Sequence, residues 1–282
     1  MWSKAYLTKK TINLAKGIAL GFLVVLALFP IFWLISTSIK SRLDILAYPP
    51  RFFFTPEFGA YYRIFVGKES IKVVKSLLNS LTIALGSTGL ALTLCGLSAF
   101  AFSRYSFSGR RLFFLVILLS RLLPPITAVI PLFLMMSNFG LIDTRLGLML
   151  IYSALNIPFG IWLMKAFFDG VPRELEESAM IDGCSALGAY LKITLPLAAP
   201  GLAATSIFLF VLGWNEFMFA FIFTSTRARP ITVLLAQAAL GEYQIYWADM
   251  AAMASILVIP MLVFSLIVQK HLIRGLTAGA LK

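Results

Sequence analysis

The sequence predicts an all-α, polytopic membrane protein with six transmembrane helices. Of its 282 residues 60% are hydrophobic and only 13% charged, with a mean hydropathy of +0.91; a soluble domain of that length needs a far more polar surface. Six apolar runs, near 17–39, 77–101, 112–136, 147–168, 200–223 and 249–269, each reach the roughly 20 helical residues that cross ~30 Å of hydrocarbon. The net charge of +12 sits mainly between these runs, as expected of loops flanking membrane spans, and a nucleic-acid partner is not expected.

Residues 1–16 form an N-terminal segment with Lys4, Lys9, Lys10 and Lys16 ahead of the first apolar run. That run is too long for a signal-peptide core and lacks a small-x-small cleavage site, so 17–39 is read as an uncleaved first span. The loop 40–76 is rich in aromatic residues, among them Tyr48, Phe52, Phe53, Phe54 and Phe58, which favour the membrane–water interface. Gly67-Lys68-Glu69-Ser70 superficially resembles a phosphate-binding loop. Glu69 after the lysine and Tyr62 at the required first glycine exclude nucleotide binding by that route.

The core, 77–269, carries spans two to six, and 270–282 is a tail. Every span except the second contains or begins with proline: Pro30, Pro124 with Pro125 and Pro131, Pro158, Pro200 and Pro260. Prolines bend membrane helices, and neighbouring helices re-satisfy the freed carbonyls. The second span instead has Gly86, Gly89 and Gly96, small residues that let helices approach closely. Basic residues divide almost evenly between the two sides. The short segments 1–16 and 102–111, the latter with Arg104, Arg110 and Arg111, are dense in positive charge and free of acids, which favours both termini inside.

Cys95 and Cys184 provide no disulfide framework. With one histidine, His271, read as a surface residue, and no H-E-x-x-H or nucleophile elbow, no catalytic residue, metal or cofactor is expected.

One stretch departs from the basic character of the loops. Residues 169–199 carry Asp169, Glu174, Glu176, Glu177 and Asp182, five of the chain's twelve acids. Pro172 fits an opening helical position, and the three glutamates then occupy the first turns, where the helix dipole favours negative charge. Gly183 fits a left-handed terminator, which predicts a helix over 172–182, roughly 16 Å long. Ser185 starts a second helix to about Thr194, ahead of Pro196. Glu174 and Glu177 share a face at i, i+3, and Arg173 is placed to support Glu177 at i, i+4. On helix signals alone, this pair of short helices is either a projecting knob or a solvated connector.

Glu177-Ser178-Ala179, followed by Asp182-Gly183, Ile193 and Leu195-Pro196, closely resembles the cytoplasmic loop of ATP-binding-cassette (ABC) importer permeases. Ser178 stands where that family has alanine, Cys184 follows the glycine in place of alanine, and Tyr190 replaces a common phenylalanine. Arg104-Tyr105 to Arg111, 140–144 (GLIDT), 158–162 (PFGIW), 214–217 (WNEF) and the ending from Gly275 agree with the carbohydrate-uptake branch. There the resemblance is to the second permease subunit of maltose-type systems, over roughly 17–282.

The resemblance implies a type I ABC importer permease fold in a bacterial or archaeal cell membrane. It also implies partners: a second, different permease subunit, two copies of a cytosolic ATPase, an extracytoplasmic solute-binding protein and a sugar. ATP hydrolysis then belongs to a partner, so the chain is not an enzyme. The acidic loop is implied to be the coupling helix that seats on the ATPase. Glu177 is expected to make the central polar contact, with Ser178, Ala179, Asp182, Gly183 and Pro196 shaping the fit. The tail is implied to reach toward the ATPase dimer.

Within the spans, Arg121 lies ~14 Å deep and Glu216 ~24 Å from the inner side, an offset a direct pair would bridge only with extended side chains or kinks. A charge at mid-membrane costs ~2.5–3.5 kcal/mol on insertion scales, so Arg121 is expected to face the bundle interior or water. With Asn156 and Asn215 these residues either line a passage or fix helix packing by hydrogen bonds. An ion-coupled secondary transporter predicts buried carboxylates and repeated broken helices, whereas Glu216 is the one convincing intramembrane acid and no repeat is visible. Glycerol phosphate remains a substrate alternative within the importer class.

Overall fold

A computed structural model describes residues 2–67, 70–239 and 247–279, with the side chains of 2–12, 14, 239 and 270–279 outside the described set. The tail ending 280–282 and the side chain of His271 therefore lie outside the described residues. Among the described residues all regular structure is helical. Four helices are long and apolar enough to cross a membrane, or six spans if each of two sharply bent pairs is one span. The chain is a multi-pass membrane protein.

The helices are α1 (Trp2–Ser38), α2 (Arg42–Ile45), α3 (Gly59–Phe65), α4 (Ser70–Arg104), α5 (Arg110–Ser120) and α6 (Val129–Asn138), the last preceded by a 3₁₀ turn at Pro125–Ala128. There follow α7 (Arg145–Asp169), α8 (Glu174–Ile181), α9 (Ala186–Ala189), a π turn (Tyr190–Thr194), α10 (Leu195–Leu197), α11 (Ala199–Trp214), α12 (Met218–Phe223), α13 (Ile231–Ala239) and α14 (Trp247–Gly279).

The segment expected as one span at 112–136 is two helices, 110–120 and 125–138, bent by 96°. Pro124 and Pro125 lack the N–H groups that would continue the ladder, and the backbone turns there. The expected span 200–223 is likewise divided: α11 stops at Trp214 and α12 begins at Met218. At its other end α11 meets 186–197 at 80°, so the short helices before Pro200 turn away from the span.

Two compact units are distinguished, 72–236 with 259–282, and 1–71 with 237–258. The larger holds both apolar cores. On α4 the buried residues Ile83, Ser87, Ala91, Cys95 and Ala99 recur every four residues, one continuous helical face. Cys95, Ala99 and Phe100 pack with Ile161, Met164 and Phe168 of α7, Leu209 of α11 and Tyr190. Gly160 lets the helices approach closely: a Cβ there would stand 2.8 Å from the Cys95 sulfur and 3.7 Å from Leu209. Dispersion contacts over such small-residue seams hold membrane helices together. A second cluster joins Ile83, Leu148, Ile151 and Tyr152 with Phe219 and Phe223 of α12 and Val233 of α13.

Polar clamps close this unit at the two ends of α4, about 38 Å apart for 25 residues of helical rise. Near its start, the buried Asn79 amide donates to the carbonyls of Arg227 and Arg229, both at 3.0 Å, and its oxygen accepts from Arg145 Nε at 2.8 Å. Asp143 completes that end. Its carboxylate accepts the backbone N–H groups of Ser225, Thr226, Arg227 and Ala228 and the Ser225 hydroxyl, at 2.8–3.1 Å. Burial raises the carboxyl's pKa, but the N–H groups of Arg227, Ala228 and Ser225 outweigh it and hold the group well below the usual carboxylate range. The clamp at the other end holds the acidic stretch.

In the smaller unit, α1 exposes every described side chain of 15–30, as a lipid-facing or partner-facing span must within a single chain. Ser38 Oγ bonds Tyr61 Oη at 2.8 Å, and Arg63 pairs with Asp249 at the start of α14.

Candidate functional site

The acidic stretch folds as the short helices α8 and α9, set at the end of the bundle where α4 and α7 terminate. α8 is shorter than the expected 172–182, because Arg173 is its N-cap and Pro172 precedes it. Its C-terminus closes as a Schellman motif: the N–H of Gly183 donates to Met180 O at 3.1 Å and that of Cys184 to Ala179 O at 2.9 Å. Gly183 takes φ +91°, which only glycine adopts without strain. Ser185 then caps α9 by accepting the Gly188 N–H at 3.1 Å. The second helix expected over 185–194 changes to π geometry at Tyr190–Thr194.

Behind α8 lies a buried ion pair. Glu176 Oε1 accepts from Arg104 Nε at 2.8 Å and Nη2 at 2.7 Å, and from the Thr194 hydroxyl at 2.6 Å. Both charged side chains are 7% exposed. The remaining Arg104 donors go to Ser103 Oγ and Val171 O. Arg173 donates to the Ser103 carbonyl at 2.7 Å. It therefore does not support Glu177, as the i, i+4 spacing predicted: the end of α4 lies within reach of the guanidinium and offers it a backbone acceptor. Ser103 Oγ donates to Asp169 at the end of α7, and Lys165 pairs with the same carboxylate. One cluster thus ties the ends of α4 and α7 to the first turn of α8 and to the π turn.

The outward face is left uncovered by the other described residues. Glu174, Glu177, Ser178, Asp182 and Gly183 are exposed, Ala179 is half-buried, Pro196 is exposed, and Ile181 is 86% exposed. An exposed apolar side chain ringed by carboxylates on a rigidly backed helix suits a socketed contact with a second protein.

The four intramembrane candidates separate into two pairs. Arg121 caps α5 at the break and donates through Nη1 to Leu155 O at 2.8 Å and to Asn156 Oδ1 at 3.4 Å. Pro158 leaves the adjacent Ala154 carbonyl without its helical donor, so this guanidinium docks on an opened turn of α7. Arg121 itself remains exposed and Asn156 buried. Glu216 lies at the second break, where its carboxylate accepts the N–H groups of Phe219 at 2.9 Å and Ala220 at 3.1 Å. It supplies acceptors for the start of α12, donors that hydrocarbon would leave unsatisfied. Asn215 is exposed and turns back to Val211 O and toward Met261. No hydrogen bond or ion pair joins Arg121 to Glu216 among the described residues. The helix breaks, unforeseen from the apolar pattern, give both charges local partners.

The residues of this buried cluster that sequence reasoning did not single out are Arg104, Glu176 and Thr194. A signal existed: with Glu174 and Glu177 on one face, Glu176 falls on the opposite one, toward the bundle.

The pattern of the family described as "Binding-protein-dependent transport system inner membrane component" matches residues 70–278. The chain belongs to that family. It is 36% identical over 262 residues to the trehalose transport system permease protein SugB of Mycobacterium tuberculosis, covering 91% of this chain and 93% of that one. To the trehalose/maltose transport system permease protein MalG of Thermococcus litoralis it is 34% identical over 263 residues, 92% and 93% of the two chains. Among solved structures, a subunit of a bacterial ABC transporter that imports the acidic polysaccharide alginate superposes with a TM-score of 0.76 at 26% identity, covering 93% and 97%. The fold is that of a type I ABC importer permease.

Proposed function

We propose that this family member is the permease half of an ATP-driven sugar importer, carrying a mono-, di- or oligosaccharide inward. The single observation that carries the coupling role is the exposed face of α8, backed by the buried Arg104–Glu176 pair. The names of relatives that carry trehalose or maltose support the substrate class.

In this reading the chain pairs with a second permease subunit in a bacterial or archaeal plasma membrane, both termini in the cytoplasm. An extracytoplasmic binding protein delivers the sugar. Two copies of a separate ATPase subunit hydrolyse ATP, and each stroke moves the α8–α9 knob. The knob transmits it because its inner face is bonded to the ends of α4 and α7, so a displacement of α8 displaces two spans. Glu177 is assigned the central polar contact, with Ser178, Ala179, Asp182, Gly183 and Pro196 shaping the seat. Arg121 and Asn156 hold α5 against α7, and Asn215 and Glu216 shape the second break along the passage.

The test is Glu177→Lys in the assembled complex. The reading predicts loss of the ATPase subunit on purification and loss of sugar uptake into proteoliposomes. Intact assembly and uptake would overturn it.

A further inference from the structure

Outside the coupling region, one cavity in the smaller unit combines a buried cation with a place at the end of two spans. It measures about 190 Å³ and is lined by Lys40, Arg42, Glu57, Arg63 and Trp247, with Gly59 and Ala60 among the smaller residues at its wall. α1 is a candidate span that ends at Ser38, and the last candidate span begins at Trp247. Lys40 follows the first by two residues and Trp247 opens the second, so the cavity stands at the ends of two apolar runs, the level at which headgroups are expected. Tyr48 and Phe53, each 97% exposed, lie in the same segment, as an interfacial belt requires.

Lys40 is the unusual group. It is 4% exposed, and its ammonium stands 4.3 Å from the centre of the Trp33 ring and 5.0 Å from that of Phe54. Among the described residues it forms no ion pair; Asp44, whose charge acts on it, is engaged by Ser41 and Arg51. The rings offset part of the desolvation of this ammonium, and its donors suit an anionic oxygen entering the cavity that Lys40 lines. Among the described residues Arg42, exposed on the rim, makes no ion pair or side-chain hydrogen bond, whereas Arg63 is engaged with Asp249. Glu57 is the one carboxylate in the lining.

We infer that this cavity takes the phosphate of a phospholipid headgroup. Lys40 meets it as a point charge from below, and Arg42 closes over it from the rim with a planar fork. Glu57 offers a counter-charge to an ammonium on the same headgroup, so a phosphoethanolamine fits the lining better than a bare anion. The acyl chains follow the exposed apolar flank of α1. Inorganic phosphate shares the recognition chemistry but lacks this apolar extension.

The experiment measures the melting temperature of the purified, delipidated complex with three additions: phosphatidylethanolamine, a diacylglycerol with the same acyl chains, and inorganic phosphate. The phospholipid is expected to raise the midpoint by several degrees, with little effect of the other two. Arg42→Gln, at an exposed position, and Lys40→Met are each expected to remove at least half of that shift. Retention of the full shift in Arg42→Gln and Lys40→Met overturns the assignment. So does an equal shift with diacylglycerol, and an equal shift with inorganic phosphate identifies a free-anion site instead. If Lys40→Met does not fold, Arg42→Gln decides.

Discussion

Removing the charge from Glu176 tests the mechanical role of the clamp behind α8. Glu176→Gln keeps the volume and an acceptor for Thr194, yet leaves Arg104, 7% exposed, without a counter-charge. Breaking a buried pair from one side costs about 3–5 kcal/mol. Because Arg104 retains Ser103 Oγ and Val171 O, the low end, ~3 kcal/mol, applies. At about 1.4 kcal/mol per decade, the balance between docked and undocked α8 shifts by roughly a hundredfold or more. The outward face is untouched, so the ATPase subunit is expected to stay bound. The expected result in proteoliposomes is continued ATP hydrolysis with far less sugar imported per ATP. Arg104→Met with Glu176→Leu removes both charges, and its cost is expected to fall below the sum of the two single changes. Wild-type stoichiometry and melting in Glu176→Gln would refute the reasoning, as would a double variant worse than that sum.

Gly183→Val places a β-branched residue at φ +91° and is expected to cost about 1–3 kcal/mol, read as faster proteolysis within 180–190 and weaker ATPase-subunit retention. Asp143 has a depressed pKa, so its contribution to stability is complete above the unfolded carboxylate value, about 3.9. It is lost as pH falls through the lower folded value; Asp143→Asn should lower the melting temperature at pH 7 and flatten its decline below about pH 4. Gly160→Leu drives a side chain into Cys95 and should cost at least 1–3 kcal/mol, seen as loss of monodisperse protein. Arg121→Met removes the tie to Leu155 and Asn156; reduced assembly marks a packing role, and reduced uptake with intact assembly marks a passage role.

Much of the architecture was legible in the residues because a bilayer imposes simple demands. Length and apolarity located the spans, and the four-residue recurrence of Ile83, Ser87, Ala91 and Cys95 marks the buried face of α4. Gly183 and Ser185 announced the turn between α8 and α9 through backbone chemistry that few other residues supply. The breaks at 121–124 and 215–217 were hidden, because prolines occur in most of these spans and do not state whether a helix bends or stops. Contacts distant in sequence were hidden as well. Asp143 reaches residues 82–85 positions away, and Glu176 meets Arg104 across 72. Of three neighbouring glutamates, composition does not distinguish the one that faces inward. Helical spacing does, once the direction of the bundle is known.

The outward face of α8 is proposed to seat on a separate ATPase subunit. A photoreactive amino acid at Ser178 in the purified, transport-competent complex tests it most directly. A cross-link to the ATPase subunit whose yield changes with ATP is the predicted result. Cross-linking only to the extracytoplasmic binding protein, or no cross-link to the ATPase subunit in a complex that still transports, would contradict it.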